Sequence, residues 1–268
     1  AQTCDREVVT EYSSTTSRAV IQHDLTSGSN VYASLSEGFK AGGYATYECT
    51  EPYDPEEVTS LEFGYKGSLS ENTSLNASLF RYDYTDFQVL QVVGIQTVTR
   101  NAGDATVNGL ELEALSNLND SLSMSYGLTL LDATYGEFLN TNGLEPQLGQ
   151  QQLEGKYLNN APKVSVNLGL NYTTNLSSGS SLTYRANAAY KSKIYFSEFN
   201  EYSQSAYTIV DLNLIWESAD DRMRTRFYVK NATDEEYISG YLSSATGGGR
   251  FGQWGYPRTA GIEIQRNF

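Results

Sequence analysis

Long apolar runs are missing from this 268-residue sequence: no window approaches the roughly 18 consecutive apolar residues that a membrane-spanning helix requires. If the chain crosses a bilayer, it must do so with strands. Imidazole and sulfur are scarce as well. One histidine, His23, and two cysteines without zinc-ligand spacing, Cys4 and Cys49, lead us to expect no structural metal and no cofactor. Basic residues are few, 18 Lys and Arg against 32 Asp and Glu, and they are not clustered. The resulting net charge of -14 argues against a nucleic-acid partner, because phosphate binding needs concentrated positive charge. The opening stretch, AQTCDREVVTEYSSTTS, has no initiating Met, no basic start and no apolar run. Either a secretion signal has been removed or the chain is a piece of something longer.

Tyrosine, at 21 positions, and glycine, at 23, are abundant, and this mixture favours strands over helices. The last eleven residues show the pattern best. Ala260, Ile262, Ile264, Arg266 and Phe268 share one register, mostly apolar, while Thr259, Gly261, Glu263, Gln265 and Asn267 fill the other. A side-chain period of two makes this a strand with one greasy side and one wet side.

The same alternation recurs along the chain. Strands are expected from Ala19 to Leu25, Val31 to Lys40, Val58 to Leu69 and Thr73 to about Val93, then in a run ending Leu110 to Ala114. Further strands are expected from Ser121 to Phe138, Lys163 to Asn175, Leu182 to Lys191, Tyr207 to Glu217, Arg224 to Ala232, and through the C-terminus. That makes eleven. Turns such as Ser70 to Asn72 and Asn119 to Asp120 are tight on one side, and loops are long on the other. Short turns at one end and long loops at the other are the build of an outer-membrane β-barrel, and several runs are longer than the usual globular strand of about five or six residues. A passive porin, a barrel adhesin or a soluble carbohydrate-binding β-sandwich are the alternatives. Complete bacterial barrels have an even strand number, so an odd count implies part of a larger barrel.

Seven segments carry a specific resemblance: VYASLSEGFKAGGY from Val31, DPEEVTSLEFGYKGSL from Asp54, SLFRYDYTDFQVLQ from Ser78, NAGDATVNGLELEA from Asn101, GKYLNNAPK from Gly155, VKNATDEEY from Val229 and GYPRTAGIEIQRNF from Gly255. In order and spacing they resemble the C-terminal half of the β-barrel of TonB-dependent outer-membrane receptors. The resemblance implies an all-β fold, an antiparallel transmembrane β-barrel of 22 strands. Residues 1–268 would be its last eleven, with the plug domain absent. It also implies active uptake of a scarce substrate, most often an iron-siderophore complex, at the bacterial outer membrane. The implied partners are outer-membrane lipid, the barrel assembly machinery, and the TonB energy complex acting through the missing plug. Phe268 would close the assembly signal, although Arg266 stands where the family's signature usually has an aromatic.

No catalytic residue is expected. Glu111 and Glu113 share a face at strand spacing, but in a barrel that face is the lumen, where solvated charges are ordinary. Gly247, Gly248, Gly249 and Arg250 lack the Lys-Ser or Lys-Thr and the helix of a phosphate cradle. The candidates for ligand contact are the aromatic and basic residues of the long loops: Tyr44, Tyr47, Phe199, Tyr202, Arg250, Phe251 and Trp254. Cys4 and Cys49 flank the first hairpin on the same side and are candidates for a disulfide in an oxidising compartment.

Overall fold

A strand whose every second residue is apolar needs two different surroundings, and strands joined by tight turns pair with their neighbours in sequence. The computed structural model describes residues 9–25, 28–44, 52–93, 96–244 and 249–268 and shows such a sheet. Its strands are β1 (Arg18–Asp24), β2 (Asn30–Lys40), β3 (Glu56–Ser70), β4 (Thr73–Thr85), β5 (Ala105–Asn119) and β6 (Leu122–Tyr135). They continue as β7 (Val164–Asn175), β8 (Ser181–Lys191), β9 (Tyr207–Glu217), β10 (Met223–Lys230) and β11 (Thr259–Arg266). Each is hydrogen-bonded to the next in chain order, antiparallel throughout.

One end carries only tight turns. Between β7 and β8 the Leu176 N–H donates to the Ser180 carbonyl at 2.8 Å, with Gly179 at a φ of 84° that suits glycine. The other end carries five long excursions, each with its own short hairpin: Gly43–Tyr44 with Pro52–Tyr53, Gln88–Val93 with Gln96–Asn101, Leu139–Thr141 with Gln150–Gln152, Ile194–Tyr195 with Ser203–Gln204, and Ile238–Ser244 with Gly249–Trp254. The expected asymmetry of turns and loops is therefore present.

Register separates the two faces. Phe63 pairs with Leu79, Leu79 with Leu110, Leu110 with Leu130 and Leu130 with Val164, an apolar row across five strands. Leu170, Leu212, Phe227 and Ile262 continue that face, and Ile262 is 62% exposed. This is the surface a bilayer covers. The opposite face is polar and forms a groove of about 480 Å3 lined by Asn76, Glu113, Ser125, Asn167, Asn187 and Asp211. Glu111 and Glu113 lie on this inner wall, as the strand spacing implies.

Three aromatic rings on the inner wall lie flat over glycines directly opposite them. The pairs are Tyr32 with Gly64, Phe80 with Gly109 and Tyr228 with Gly261. A Cβ at those glycines would come within 2.3, 2.1 and 2.4 Å of atoms of the facing side chain. Hydrogen there is a packing requirement.

Several strands stop short of their expected ends: the run expected to reach Phe138 ends at Tyr135, and two others break at a residue of positive φ. The run from Thr73 breaks after Thr85 because Asp86 adopts a φ of 52°, and Phe87 then exchanges backbone hydrogen bonds with Ala102 and Gly103. The strand expected to reach Ala232 ends at Lys230, where Asn231 has a φ of 46°. Both breaks mark where the sheet hands over to the loops.

Candidate functional site

Three of the long excursions, those after β6, β8 and β10, merge into one cap, and the excursion after β4 joins its base. The base is a small apolar core of Ala102, Tyr135, Phe138, Leu153 and Phe199, with Phe87, Val89 and Leu158 packed against it. Leu153 is 0% exposed and Phe199 5%. Tyr135 and Phe138 stand 5.5 Å apart, and Phe87 meets the Tyr135 edge at 6.3 Å. This core forms because loops cannot bury backbone without partners, and here side chains supply them. The Gln152 Oε1 accepts from the N–H groups of Phe138, Leu153 and Glu154 at 3.0, 2.9 and 3.1 Å.

Polar contacts then tie one hairpin to the next. Asn200, in the left-handed region at a φ of 57°, grips both backbone groups of Tyr157: its Oδ1 accepts the N–H at 2.7 Å and its Nδ2 donates to the carbonyl at 2.9 Å. Lys156 Nζ donates to the Phe199 carbonyl at 2.8 Å. Asn140 Nδ2 donates to Glu198 at 3.1 Å and Asn142 Nδ2 to Glu201 at 3.0 Å. Burial pushes the Glu198 carboxyl above the ordinary carboxylate range, against hydrogen bonds from its own backbone and Asn159 that pull it down.

The last hairpin is fastened by rings and one guanidinium. Phe196, Tyr241 and Tyr202 form a stack, with Tyr241 centred 5.6 Å from Phe196 and 5.5 Å from Tyr202. Arg250 covers the outer face of Tyr202, its Cζ 4.0 Å from the ring centroid, and its Nη2 donates to Glu145 at 3.0 Å. At the foot of the same excursion Asn231 Nδ2 donates to the carbonyls of Glu235 and Tyr256, and Asp211 accepts the Asn231 N–H.

The seven candidate contact residues do not form one patch. Tyr202 and Arg250 meet each other. Phe199 lies in the core of the cap, Tyr44 is half-buried in the separate first excursion, and Tyr47 lies outside the described residues. Phe251 and Trp254, 52% and 66% exposed, stand on the last hairpin opposite Leu242 and Ile238. Cys4, Cys49, Gly247 and Gly248 also lie outside the described residues. Glu145, Glu198, Asn200 and Tyr241 organise the cap, yet no local pattern marks them, because each acts on a partner in another loop. Among the described residues no group of three or more His, Cys, Asp or Glu is placed to hold a metal ion.

A sheet with one apolar and one polar face, tight turns at one end and a looped cap at the other, is an outer-membrane β-barrel wall. Residues 3–232 match the family model described as TonB dependent receptor-like, beta-barrel, and the chain belongs to that family. Its members are receptors of the Gram-negative outer membrane. The pesticin receptor of Yersinia pestis is 26% identical over 250 residues, covering 91% of this chain and 34% of that protein. The ferrioxamine B receptor of Salmonella typhimurium LT2 is 23% identical over 226 residues, covering 83% of this chain and 30% of that protein. Among solved structures, the ferric yersiniabactin uptake receptor of Yersinia pestis superposes with a TM-score of 0.78 at 22% identity, covering 94% of this chain and 37% of that one. The chain thus spans about a third of the length of the relatives it matches.

Proposed function

We propose that this chain forms part of the barrel wall and extracellular cap of a TonB-dependent receptor that imports an iron-siderophore complex. The observation that carries the reading is the cap. Three excursions held in one body over a polar inner wall make a surface fit to bind a bulky polar solute and pass it inward. Relatives named for ferrioxamine B and ferric yersiniabactin support the substrate class. In this reading the energy complex acts through a plug domain, Phe268 closes the signal read by the barrel assembly machinery, and no step is enzymatic. Phe251 and Trp254, exposed on opposite faces of the last hairpin, are the proposed ligand contacts, while Tyr202 and Arg250 set the shape of the surface. Cys4 and Cys49 remain the proposed disulfide.

The test uses the full-length receptor in a strain that relies on it for iron. Energy-dependent uptake of radiolabelled iron-siderophore, lowered by Phe251→Ala with Trp254→Ala at unchanged receptor abundance, supports the reading. Uptake that persists without the energy complex indicates a passive pore and overturns it.

A further inference from the structure

At the loop end of the outer face, over β6 to β8, lies a stack of four side chains that substrate uptake does not require. Tyr157 is bridged to Thr134, which continues the outward register of β6 four residues beyond Leu130. Its ring stacks on Tyr195, with centroids 5.9 Å apart and planes 10° from parallel. Lys163 Nζ lies 4.1 Å from the Tyr157 centroid and donates to the Tyr157 hydroxyl. Lys193 Nζ lies 4.5 Å from the centroid of Tyr195. Each ring of the stacked pair thus has one ammonium group against it.

On the outer face these two ammonium groups differ from the other cations at this end. Lys40, Arg81, Arg250 and Arg258 are ion-paired with Glu56, Asp83, Glu145 and Asp234, Lys156 is engaged by the Phe199 carbonyl, and Lys191 and Lys230 stand in the inward register. Lys163 and Lys193 are exposed, and among the described residues neither has a carboxylate within 4.0 Å; Asp132 acts on Lys163 only from farther away. A ring attracts an ammonium through its quadrupole but does not neutralise it. Two positive charges therefore stay uncompensated on a rigid aromatic support.

Their height decides what they meet. Four residues of strand advance about 13 Å, and a tilt near 45° lifts the stack about 9 Å above the apolar row of Leu130 and Val164. That is the level of the outer-leaflet headgroups, and in the Gram-negative outer membrane these belong to phosphorylated glycolipid. Tyrosines at such a level are expected of any barrel, and lysines there commonly reach for water. A general interface belt, however, does not require two lysines oriented on one stack. In a chain of net charge -14, such a pair also offers local complementarity to an anionic headgroup.

We propose that Lys163 and Lys193, held by Tyr157 and Tyr195, bind a phosphate group of an outer-leaflet phosphorylated glycolipid. The rings position the ammonium groups, and the lysines donate to the phosphate oxygens. This assignment is independent of the imported substrate.

The experiment uses the full-length receptor extracted from outer membranes in mild detergent, with retained glycolipid counted by native mass spectrometry. Lys163→Gln with Lys193→Gln is expected to retain about ten-fold less than the wild type. Lys163→Arg with Lys193→Arg restores retention, and Lys40→Gln with Glu56→Gln on the inner wall leaves it unchanged. Mobility in unheated electrophoresis verifies that each barrel is folded, and Lys193→Gln alone gives the same comparison if the double variant does not assemble. Equal retention by the wild type and the glutamine variants overturns the proposal. In a second arm the delipidated receptor is placed in vesicles holding phosphorylated or dephosphorylated glycolipid. Enrichment of the phosphorylated form alone supports it. Equal enrichment of both forms, or displacement by micromolar inorganic phosphate as expected for a free-anion site, overturns it.

Discussion

Arg250 lies face-on to Tyr202, 4.0 Å from the ring centroid, while its Nη2 reaches Glu145 at 3.0 Å in a loop 105 residues earlier. One guanidinium thus joins three hairpins. Stacking and a fork-shaped donor are both properties of arginine that lysine lacks. Arg250→Lys is expected to loosen the last hairpin, seen as faster hydrogen exchange in residues 238–242 and 249–254. Tyr202→Phe keeps the ring and leaves exchange unchanged, whereas Tyr202→Leu reproduces the Arg250→Lys effect.

Glu198 makes the cap sensitive to pH. Burial raises its folded pKa above the unfolded value, so ionisation costs the folded cap stability. The cap is firmest in acid, weakens as pH rises from the ordinary carboxylate value to the raised one, and is level above that. Glu198→Gln keeps the oxygen that accepts from Asn140 and removes the cost. Hydrogen exchange in residues 139–152 and 194–204 is expected to be slower in the variant at about pH 7 and equal to wild type near pH 4, below the usual carboxylate pKa. A difference that persists unchanged at the acidic pH would show that ionisation is not the cause.

The inner-wall glycines make a steric prediction. A Cβ at Gly109 would lie 2.1 Å from the Phe80 ring, and Phe80 is buried at 8% exposure. Gly109→Ala therefore pushes a packed ring aside and is expected to cost about 1–3 kcal/mol, read as an earlier urea midpoint for the folded band in electrophoresis. Gly127→Ala on the neighbouring strand meets nothing closer than 3.5 Å and serves as the control.

Leu212 and Asn213 are adjacent but face opposite ways, Leu212 toward the bilayer and Asn213 toward the lumen. Leu212→Arg is expected to cost about 2–4 kcal/mol, the range for a cation near the bilayer midplane, while Asn213→Glu, which keeps an acceptor for Arg226, costs little. Folded fraction after reconstitution from urea into vesicles separates the two. Equal losses would contradict the assignment of the faces.

The parts of the molecule that repeat every two residues were legible in the sequence, and those that do not were hidden. Alternation through Leu122 to Leu130 and Val164 to Tyr172 is enough to place strands, faces and even the inner position of Glu113. The motif glycines show no reason in the sequence itself, and register supplies it: Gly64, Gly109 and Gly261 lie beneath the rings of Tyr32, Phe80 and Tyr228. The cap carries no such signal. Tyr202 and Arg250 stood out by residue type as ligand contacts, but their tie to each other joins loops far apart in sequence. Phe199 has the type of a contact residue, yet it closes a core whose other members come from the end of β6 and two further excursions. The strand breaks at Asp86 and Asn231 have no sequence signature because a single positive φ leaves no trace in hydropathy.

Because a core joins the hairpins after β6 and β8, a ring stack those after β8 and β10, and an ion pair those after β6 and β10, the three behave as a single heritable block. Grafting one of them alone into a relative would strand Glu145 without Arg250, or Tyr241 without Tyr202. Chimeric receptors should exchange residues 136–258 together, with the inner-wall strands between them, so that new recognition surfaces arrive with their own fastenings.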